Sequence, residues 1–372
     1  MVESGHDIAV LHEGPANTSG PSIVDEVPGV VSWSISNSNL SLVLDQVATW
    51  KPDIAYNHGI NELVIESEIV KRWPSYLFVH STSGTCISGT KSWRRPKLAI
   101  CERVIGPGCL GLYMPLGCGG KSPLTMLNSY RLARSRQRLF NYYQGIFVSS
   151  DFMFQDYLRH AIPVNRLHLV PYFPPGCQPD LEPPLSRTFT NRIIFSGRMV
   201  QNKGWRHAFS ATSLAARGLG RDLHLVVAGD GPDLPEMRRV VANRDFGIKV
   251  QFLGWINRQA MQVEMRQADL LLMPSLWAEP FGLLGIEAGC VGLPAAGYAV
   301  GGIPDWLVPG KTGESGTSGR MVIGELASAI ERALNDQDHW QKLRVGAWKK
   351  AQDFSKTRHI GQLNQIFATC KS

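Results

Sequence analysis

Short apolar runs alternate with amphipathic stretches along the first third of the chain. The runs at residues 29–35, 52–57 and 76–80 predict strands, because each is short, apolar and bounded by turn residues. The stretches at 39–50 and 62–72 carry apolar residues at helical spacing and predict helices between them. A regular alternation of strand and helix predicts a parallel, doubly wound sheet.

The same alternation resumes later in the chain and suggests a second domain. A further strand–helix–strand unit is predicted between residues 145 and 170, and the proline-rich run at 174–184 predicts a linker. A second doubly wound sheet is predicted to begin near Arg192. We therefore predict an α/β chain with Rossmann-like parallel-sheet domains at residues 1–178 and 179–352 facing a cleft.

Two glutamates flank a Pro-Phe-Gly turn between a predicted strand at 269–275 and a predicted helix at 283–290. Gly282 falls at the helix start, where unpaired backbone N–H groups attract anions such as phosphate. With Glu279 before the turn and Glu287 within the helix, a ligand with hydroxyls at both ends and phosphate between them would fit. That description suits a nucleotide diphosphate sugar. The alternative is one acidic residue in a loop and another on a solvated helix face.

Arg198 and Lys203 follow a predicted strand that begins at Arg192. Ligands of open α/β sheets bind at the carboxyl ends of the strands. Two fixed cations there would hold a diphosphate and stabilise its charge as it leaves. The alternative is two surface cations in a loop.

Five motifs between about Arg192 and Gly313 occur in an order that resembles retaining glycosyltransferases of family 4, which have the GT-B fold. The motifs are Gly197-Arg198-x4-Lys203-Gly204, Val226-Val227-Ala228-Gly229-Asp230-Gly231-Pro232, Phe252-Leu253-Gly254, Pro274-Ser275-x3-Glu279-Pro280-Phe281-Gly282-x4-Glu287-Ala288, and Gly301-Gly302-Ile303-Pro304. The resemblance implies transfer of a sugar, with retention, from a nucleotide diphosphate donor to a hydroxyl acceptor. UDP is the commonest donor nucleotide in the family.

The resemblance also assigns roles to particular residues. It implies catalytic roles for Glu279, Arg198, Lys203 and His80; Ser81 stands where the family has an Asp after this His. It implies that the donor-binding residues are Gly197, Gly231, Leu253, Phe281, Gly282, Leu283, Leu284 and Glu287. It further implies that a final helix, within residues 353–372, crosses back onto the first domain.

The amino-terminal end departs from the family pattern. Residues 5–11 resemble the family's second strand, so we expect the first strand, its Gly-rich loop and the first helix to be absent. That loop contacts the acceptor in the family, and its absence puts activity in doubt. The alternative is that residues 8–11 form the first strand and residues 14–20 the loop.

Composition and charge narrow the class of protein. At 372 residues with 44% hydrophobic and 19% charged residues, the chain has the composition of a soluble globular protein. We find no secretory signal and expect a cytoplasmic protein. Residues 71–138 carry twelve Lys or Arg against Glu102 alone, a net charge of +11. This segment favours an anionic partner, either a lipid-linked or polysaccharide precursor or the inner membrane face, unless it is simply a solvated face. No nucleic-acid motif is present.

Four cysteines, Cys86, Cys101, Cys109 and Cys118, fall close together. Without a signal peptide they favour a metal site over disulfides, but no Cys-x2-Cys pair is present, so we expect unpaired buried thiols and keep a structural zinc site as the alternative. We expect no catalytic metal or cofactor, since fixed cations and the helix start already neutralise the leaving group. Two other functions stay open: a sugar-nucleotide epimerase on the same fold, and a truncated, non-catalytic nucleotide-sugar binder. The sequence leaves the oligomeric state unknown.

Overall fold

The computed structural model describes residues 1–13, 29–35, 39–175, 179, 182–316 and 320–368. The loop considered at 14–20 and part of the linker expected at 174–184 lie outside these residues. Below, the amino-terminal half is residues 1–175 and the carboxy-terminal half is residues 182–352.

The described residues form fourteen strands and twelve α-helices. The strands are β1 (Ala9–His12), β2 (Val31–Ser34), β3 (Ala55–Asn57), β4 (Ser75–Phe78), β5 (Ser92–Trp93), β6 (Ala99–Ile100), β7 (Gly145–Val148), β8 (Leu167–Leu169), β9 (Arg192–Ser196), β10 (His224–Ala228), β11 (Lys249–Gly254), β12 (Leu270–Met273), β13 (Ala295–Gly297) and β14 (Gly313–Ser315). The helices are α1 (Leu40–Trp50), α2 (Leu63–Arg72), α3 (Gly108–Tyr113), α4 (Pro123–Leu139), α5 (Asp151–Arg159), α6 (Trp205–Leu219), α7 (Leu234–Asn243), α8 (Arg258–Gln267), α9 (Leu283–Cys290), α10 (Ile323–Asn335), α11 (Gln337–Ala351) and α12 (Lys356–Ala368).

The carboxy-terminal half contains a six-stranded parallel sheet in the order β11-β10-β9-β12-β13-β14. Its central strands are continuous apolar runs, and Ile193, Ile194 and Leu271 are fully buried. Such runs are typical of parallel strands with helices on both faces. When the strands are numbered from β9 onward, their order is that of a doubly wound dinucleotide-binding sheet. The direction of the strand order reverses between β9 and β12, and this reversal leaves a crevice there.

The amino-terminal half is divided between two parallel sheets. One has four strands in the order β3-β4-β7-β8, and in the other β1 pairs with β2, with no further strand among the described residues. The carboxylate of Glu13, just after β1, accepts hydrogen bonds from Asn61 Nδ2 at 2.9 Å and Glu62 N at 2.8 Å. This contact ties the small sheet to the start of α2. An antiparallel pair, β5 and β6, lies within the cysteine-rich segment and was not predicted.

The basic segment at 71–138 does not form one exposed surface. Lys91 is 1% exposed and its Nζ lies 2.7 Å from Asp156 Oδ1. Arg136 pairs with buried Glu66 at 3.3 Å and donates to backbone carbonyls before α2. Two of the twelve cations therefore stabilise the fold, which reduces the charge available to an anionic partner. None of the described helices has the length and apolar character needed to cross a membrane.

Helix α12 packs against the four-stranded sheet through its apolar face. Phe367 is 6% exposed and lies edge-on to Tyr76, with ring centroids 5.0 Å apart, and to Phe147, at 5.8 Å. Leu363 is buried in the same cluster. The helix follows α11 of the carboxy-terminal half, so this packing joins the two halves of the chain.

We predict that Phe367→Ala lowers the free energy of unfolding by about 3–5 kcal/mol, because it removes a buried aromatic ring and leaves a cavity under α12. Gln365→Ala, on the exposed side of the same helix, is the matched control and should change it by less than about 0.5 kcal/mol. Urea unfolding of both variants measures the difference. Equal effects of the two substitutions would show that α12 is not held through Phe367.

Candidate functional site

A cavity of about 600 Å³ opens beyond the carboxyl ends of β9 and β12, where the order of the six-stranded sheet reverses. Most of its wall comes from the carboxy-terminal half, and two residues come from the amino-terminal half. The lining residues are His80, Tyr172, Phe195, Ser196, Gly197, Arg198, Lys203, Leu272, Met273, Pro274, Ser275, Trp277, Glu279, Pro280, Phe281, Gly282, Leu283 and Leu284. The cavity therefore lies between the halves.

Glu279 is the buried carboxylate of this cavity, with 4% of the residue exposed. Its Oε1 accepts hydrogen bonds from Ser275 Oγ at 2.7 Å and Trp277 Nε1 at 3.0 Å, and it pairs with Lys203 Nζ. Burying a carboxylate is costly unless donors replace its water. These three donors offset that cost and fix the side chain in one orientation.

The loops that carry Lys203 and Glu279 are locked together through their backbones. Leu276 N donates to Asn202 O at 2.7 Å. Gly204 has a left-handed backbone, with φ +75°, and a Cβ at this position would lie 1.9 Å from Pro274 O. Only glycine allows this approach, which brings the loop after β9 within reach of the loop after β12.

Two further glycines, Gly301 and Gly302, contact the backbone of Glu279. Gly302 N donates to Glu279 O at 2.7 Å. Gly301 has φ +60°, and a Cβ there would lie 2.1 Å from Glu279 O and 2.5 Å from Glu279 N. The Gly301-Gly302 pair therefore packs directly on the backbone of the buried carboxylate.

Helix α9 begins at the cavity. Its N-cap is Gly282, in a left-handed conformation, and no side chain caps the helix. The first residues of the helix, Leu283 and Leu284, line the cavity with Arg198 and Lys203. Uncapped N–H groups and two side-chain cations together favour a bound anion.

The cavity does not bring together every residue that sequence analysis assigned to the donor. Gly231, Leu253 and Glu287 are not among its lining residues. Glu287 is partly buried, and this burial raises its pKa while the nearby Arg258 opposes the rise. A Cβ at Gly231 would lie 2.5 Å from Met199 O, so this glycine packs against the loop after β9. These three assignments stay predictions.

His80 follows β4 and faces the cavity, but both of its ring nitrogens have partners. Nδ1 lies 2.6 Å from the Tyr172 hydroxyl and Nε2 lies 3.0 Å from His58 Nδ1. Tyr172 stacks on the His80 ring at a centroid distance of 5.6 Å. The imidazole can therefore bind a ligand only by sharing or exchanging one of these bonds.

Four residues that hydrogen-bond to Glu279 or His80 were not predicted from the sequence. Ser275 and Trp277 surround Glu279 within the motif already singled out, but their hydrogen bonds to its carboxylate depend on how the loop turns. His58 and Tyr172 follow predicted strands, at the edge of the sheet where ligands bind. That position was the available signal for both.

Burial favours the neutral form of three neighbouring histidines, His58, His80 and His359, which form the histidine cluster. It lowers the pKa of His58 to about 4, with smaller contributions from His80 and His359. Burial likewise lowers the pKa of His80, whose ring faces the cavity, and of His359, whose Nδ1 donates to Pro171 O at 2.8 Å. At neutral pH, these rings act as neutral hydrogen-bonding groups.

Metal-ligating side chains are not gathered in this cavity. In the described part of the chain, no three His, Cys, Asp or Glu residues are arranged to hold one ion. Asp336 and Asp338 have the spacing of a metal-binding pair, but Asp336 caps α11 by accepting from His339 N at 2.6 Å and neither lines the cavity. The four cysteines lie at a separate, smaller cavity.

Residues 181–352 match the model of the family glycosyl transferases group 1. The 2-deoxystreptamine glucosyltransferase of Streptomyces kanamyceticus is 37% identical over 144 residues, which are 39% of this chain and 36% of that relative. The chain thus aligns with little more than a third of the length of this relative.

Solved structures match over almost the whole chain. The sucrose-phosphate synthase of Thermosynechococcus elongatus superposes with a TM-score of 0.70 at 16% identity, covering 99% of this chain and 90% of that one. HepE of Anabaena, in complex with UDP and glucose, gives a TM-score of 0.61 at 14% identity, covering 92% and 87%. The chain therefore has the α/β GT-B fold, with parallel sheets in a Rossmann-like arrangement, as predicted.

We predict that Gly301→Ala destabilises the protein more than Gly310→Ala. Both glycines have left-handed backbones, but a Cβ at Gly310 meets nothing within 4 Å. Gly310→Ala should therefore cost only the left-handed strain of about 1–2 kcal/mol. Gly301→Ala should add the displacement of the Glu279 backbone. Urea unfolding of both variants tests this, and equal losses would contradict the contact with Glu279.

We predict that the folded state loses stability as the pH falls from about 6.5 to about 4, partly through His58. Its folded pKa is below its unfolded pKa, so in this window the unfolded chain binds the proton more readily. His58→Gln should make the fall in melting temperature shallower. His12→Gln, outside the cluster, is the control; identical pH profiles for wild type and His58→Gln would contradict the prediction.

Proposed function

We propose that this chain is a retaining glycosyltransferase that moves a sugar from a nucleotide diphosphate donor, namely a UDP-sugar, to a hydroxyl acceptor. The observation that carries the proposal is the buried Glu279 carboxylate, held by Lys203, Ser275 and Trp277 beside Arg198 and the uncapped start of α9. The family match over residues 181–352 supports it. So do similar folds that were solved with UDP or UDP-glucose bound.

The donor is proposed to lie along the crevice at the reversal of strand order. Its diphosphate would bind between Arg198, Lys203 and the first N–H groups of α9, because all three favour negative charge. Its sugar would lie against Glu279. We keep Glu287 as the proposed partner of the ribose hydroxyls, and Gly231 and Leu253 as proposed donor contacts, outside the lining of the present cavity.

Sugar transfer breaks the bond between the anomeric carbon and a diphosphate oxygen, and the electron pair stays on the diphosphate. Arg198, Lys203 and the start of α9 would stabilise that growing negative charge in place. Glu279 would stabilise the positive charge that develops on the sugar ring. No metal or cofactor is part of this proposal; the nucleotide sugar is a substrate.

Lys203 has two roles in this arrangement. Its ammonium group pairs with the Glu279 carboxylate. Donor binding would place a phosphate against the same ammonium group. The lysine would then couple the position of the sugar carboxylate to that of the leaving group.

We further propose two domains, residues 1–178 on the acceptor side and residues 179–352 on the donor side, with residues 353–372 returning to the first. A glycan or lipid-linked glycan is the proposed acceptor. The remaining exposed cations of the basic segment, including Arg131 and Arg138, support contact with such an anionic carrier or with an anionic membrane surface. A cytoplasmic location belongs to this proposal.

We predict that UDP raises the melting temperature of the wild-type chain, since ligand at a hundred times its dissociation constant adds about 2.7 kcal/mol. Lys203→Met should abolish most of the rise, because it removes a diphosphate contact. Glu279→Gln should retain UDP binding, because UDP lacks the transferred sugar that Glu279 is proposed to contact. Glu236→Gln, an exposed acid outside the cavity, is the control. GDP and ADP are measured alongside UDP to identify the base.

Turnover decides between an enzyme and a binder. With UDP-glucose or UDP-N-acetylglucosamine, the wild type should release UDP, and Glu279→Gln should slow release by about a hundredfold or more. UDP binding without release or transfer, with the sugar unchanged, would favour the non-catalytic binder. Conversion of the donor to its epimer would identify the epimerase. Absence of any nucleotide-dependent stabilisation would overturn the proposed function.

A further inference from the structure

The four cysteines of the amino-terminal half converge on one cavity of about 30 Å³. They come from four places in the chain: the turn after β4, the residue after β6, the first turn of α3, and the segment after α3. These are Cys86, Cys101, Cys109 and Cys118. A space of this size holds about one water molecule or one small ion.

All four cysteines line the same cavity, and none of them forms a disulfide. Each thiol is only partly buried, so an ion from solution can reach the cavity.

We propose that this cavity binds one Zn²⁺ through the thiolates of Cys86, Cys101, Cys109 and Cys118. Four thiolates are a complete tetrahedral ligand set for a structural zinc. The four side chains already line one cavity, although they are not yet arranged around a common point in this conformation. Binding therefore requires the thiols to rotate inward and to release their protons.

The charge around the cavity suits a zinc bound by four thiolates. Such a centre carries a net charge of −2, and two cations, Lys91 and Arg103, line the same cavity. Lys91 Nζ donates to Arg103 O at 2.9 Å and pairs with Asp156 at 2.7 Å. Because Asp156 already balances the charge of Lys91, Arg103 is the cation that would offset part of the negative charge that the thiolates acquire on binding.

The fold of this segment also favours a metal. Between residues 86 and 118, its regular structure consists of the two-residue strands β5 and β6 and the six-residue helix α3. Such short elements bury little apolar surface, and small loop-rich segments are commonly held by a metal or by disulfides. Zinc would supply the missing restraint.

The site would support the sugar-donor cavity without touching the donor. Ala278 N, next to Glu279, donates to Thr90 O at 3.2 Å. Arg94 donates to Asn202 Oδ1 at 3.2 Å, next to Lys203. The cysteine-rich segment thus contacts both loops of the cavity, and the zinc would hold these contacts in place. Zinc binding itself does not depend on the proposed function.

The test is the metal content of the full-length chain, purified under reducing conditions and measured by inductively coupled plasma mass spectrometry. We expect about one zinc per chain, lost in Cys101→Ser and in Cys118→Ser. Cys290→Ser, in the core of the carboxy-terminal half, is the matched control and should retain zinc. A wild-type chain with less than about a tenth of one zinc, even after incubation with Zn²⁺, would overturn the proposal.

A second measurement uses only the wild-type chain, so it remains valid if the cysteine variants fail to fold. Cobalt replaces zinc in the wild-type chain, and binding by thiolates produces an intense sulfur-to-cobalt charge-transfer absorption. Its absence, or mass spectrometry that finds the four cysteines in disulfides, would also overturn the proposal. Chelation should lower the melting temperature whether or not UDP binds, which separates this test from that of the proposed function.

Discussion

The loop after β9 and the loop after β12 approach each other where the strand order of the six-stranded sheet reverses, and the site depends on this approach. Gly204 lets the loop after β9 reach the backbone of Pro274, and that contact brings Lys203 to Glu279. A side chain at residue 204 would separate the loops. The ion pair then holds a buried carboxylate that the interior would otherwise disfavour. The pairing of Lys203 with Glu279 follows from this backbone contact.

The same site connects the two halves of the chain. Ser150, at the start of α5, donates to Pro280 O, and Asp151 N donates to Asp305 Oδ2 at 2.9 Å. On the opposite wall, Tyr172 lies edge-on to Phe281 with ring centroids 5.7 Å apart. Residues next to Glu279 therefore contact the amino-terminal half directly. A shift between the halves would move the cavity wall and the loop of the carboxylate together.

Part of the site is rigid before any ligand binds, and part must change partners. Glu279 is held by Ser275, Trp277 and the Gly301-Gly302 backbone, so its geometry is already set. The polar atoms of Lys203 and His80 are instead already paired with neighbouring side chains. A ligand that contacts either side chain has to compete with those neighbours. The energetic cost of binding is therefore concentrated in these two residues.

The sequence alone determined the class of fold and identified half of the residues that line the cavity. Continuous apolar runs identify buried parallel strands, and the residues that follow such strands share one edge of a sheet. For this reason Arg198, Lys203, Glu279 and Gly282 could be placed together without coordinates. Glu287, Gly231 and Leu253 were grouped with them by motif, and the cavity does not include them.

Only the tertiary structure decided which atoms meet. The hydrogen bonds of Ser275 and Trp277 depend on a loop turn, and the contact of His58 with His80 joins residues from two strands. The convergence of four cysteines without a Cys-x2-Cys pair depends on four separate segments. Spacing along the chain carries information about strands and helices, because their repeats are local. Contacts between loops depend on backbone approach at positions such as Gly204, which no local repeat encodes.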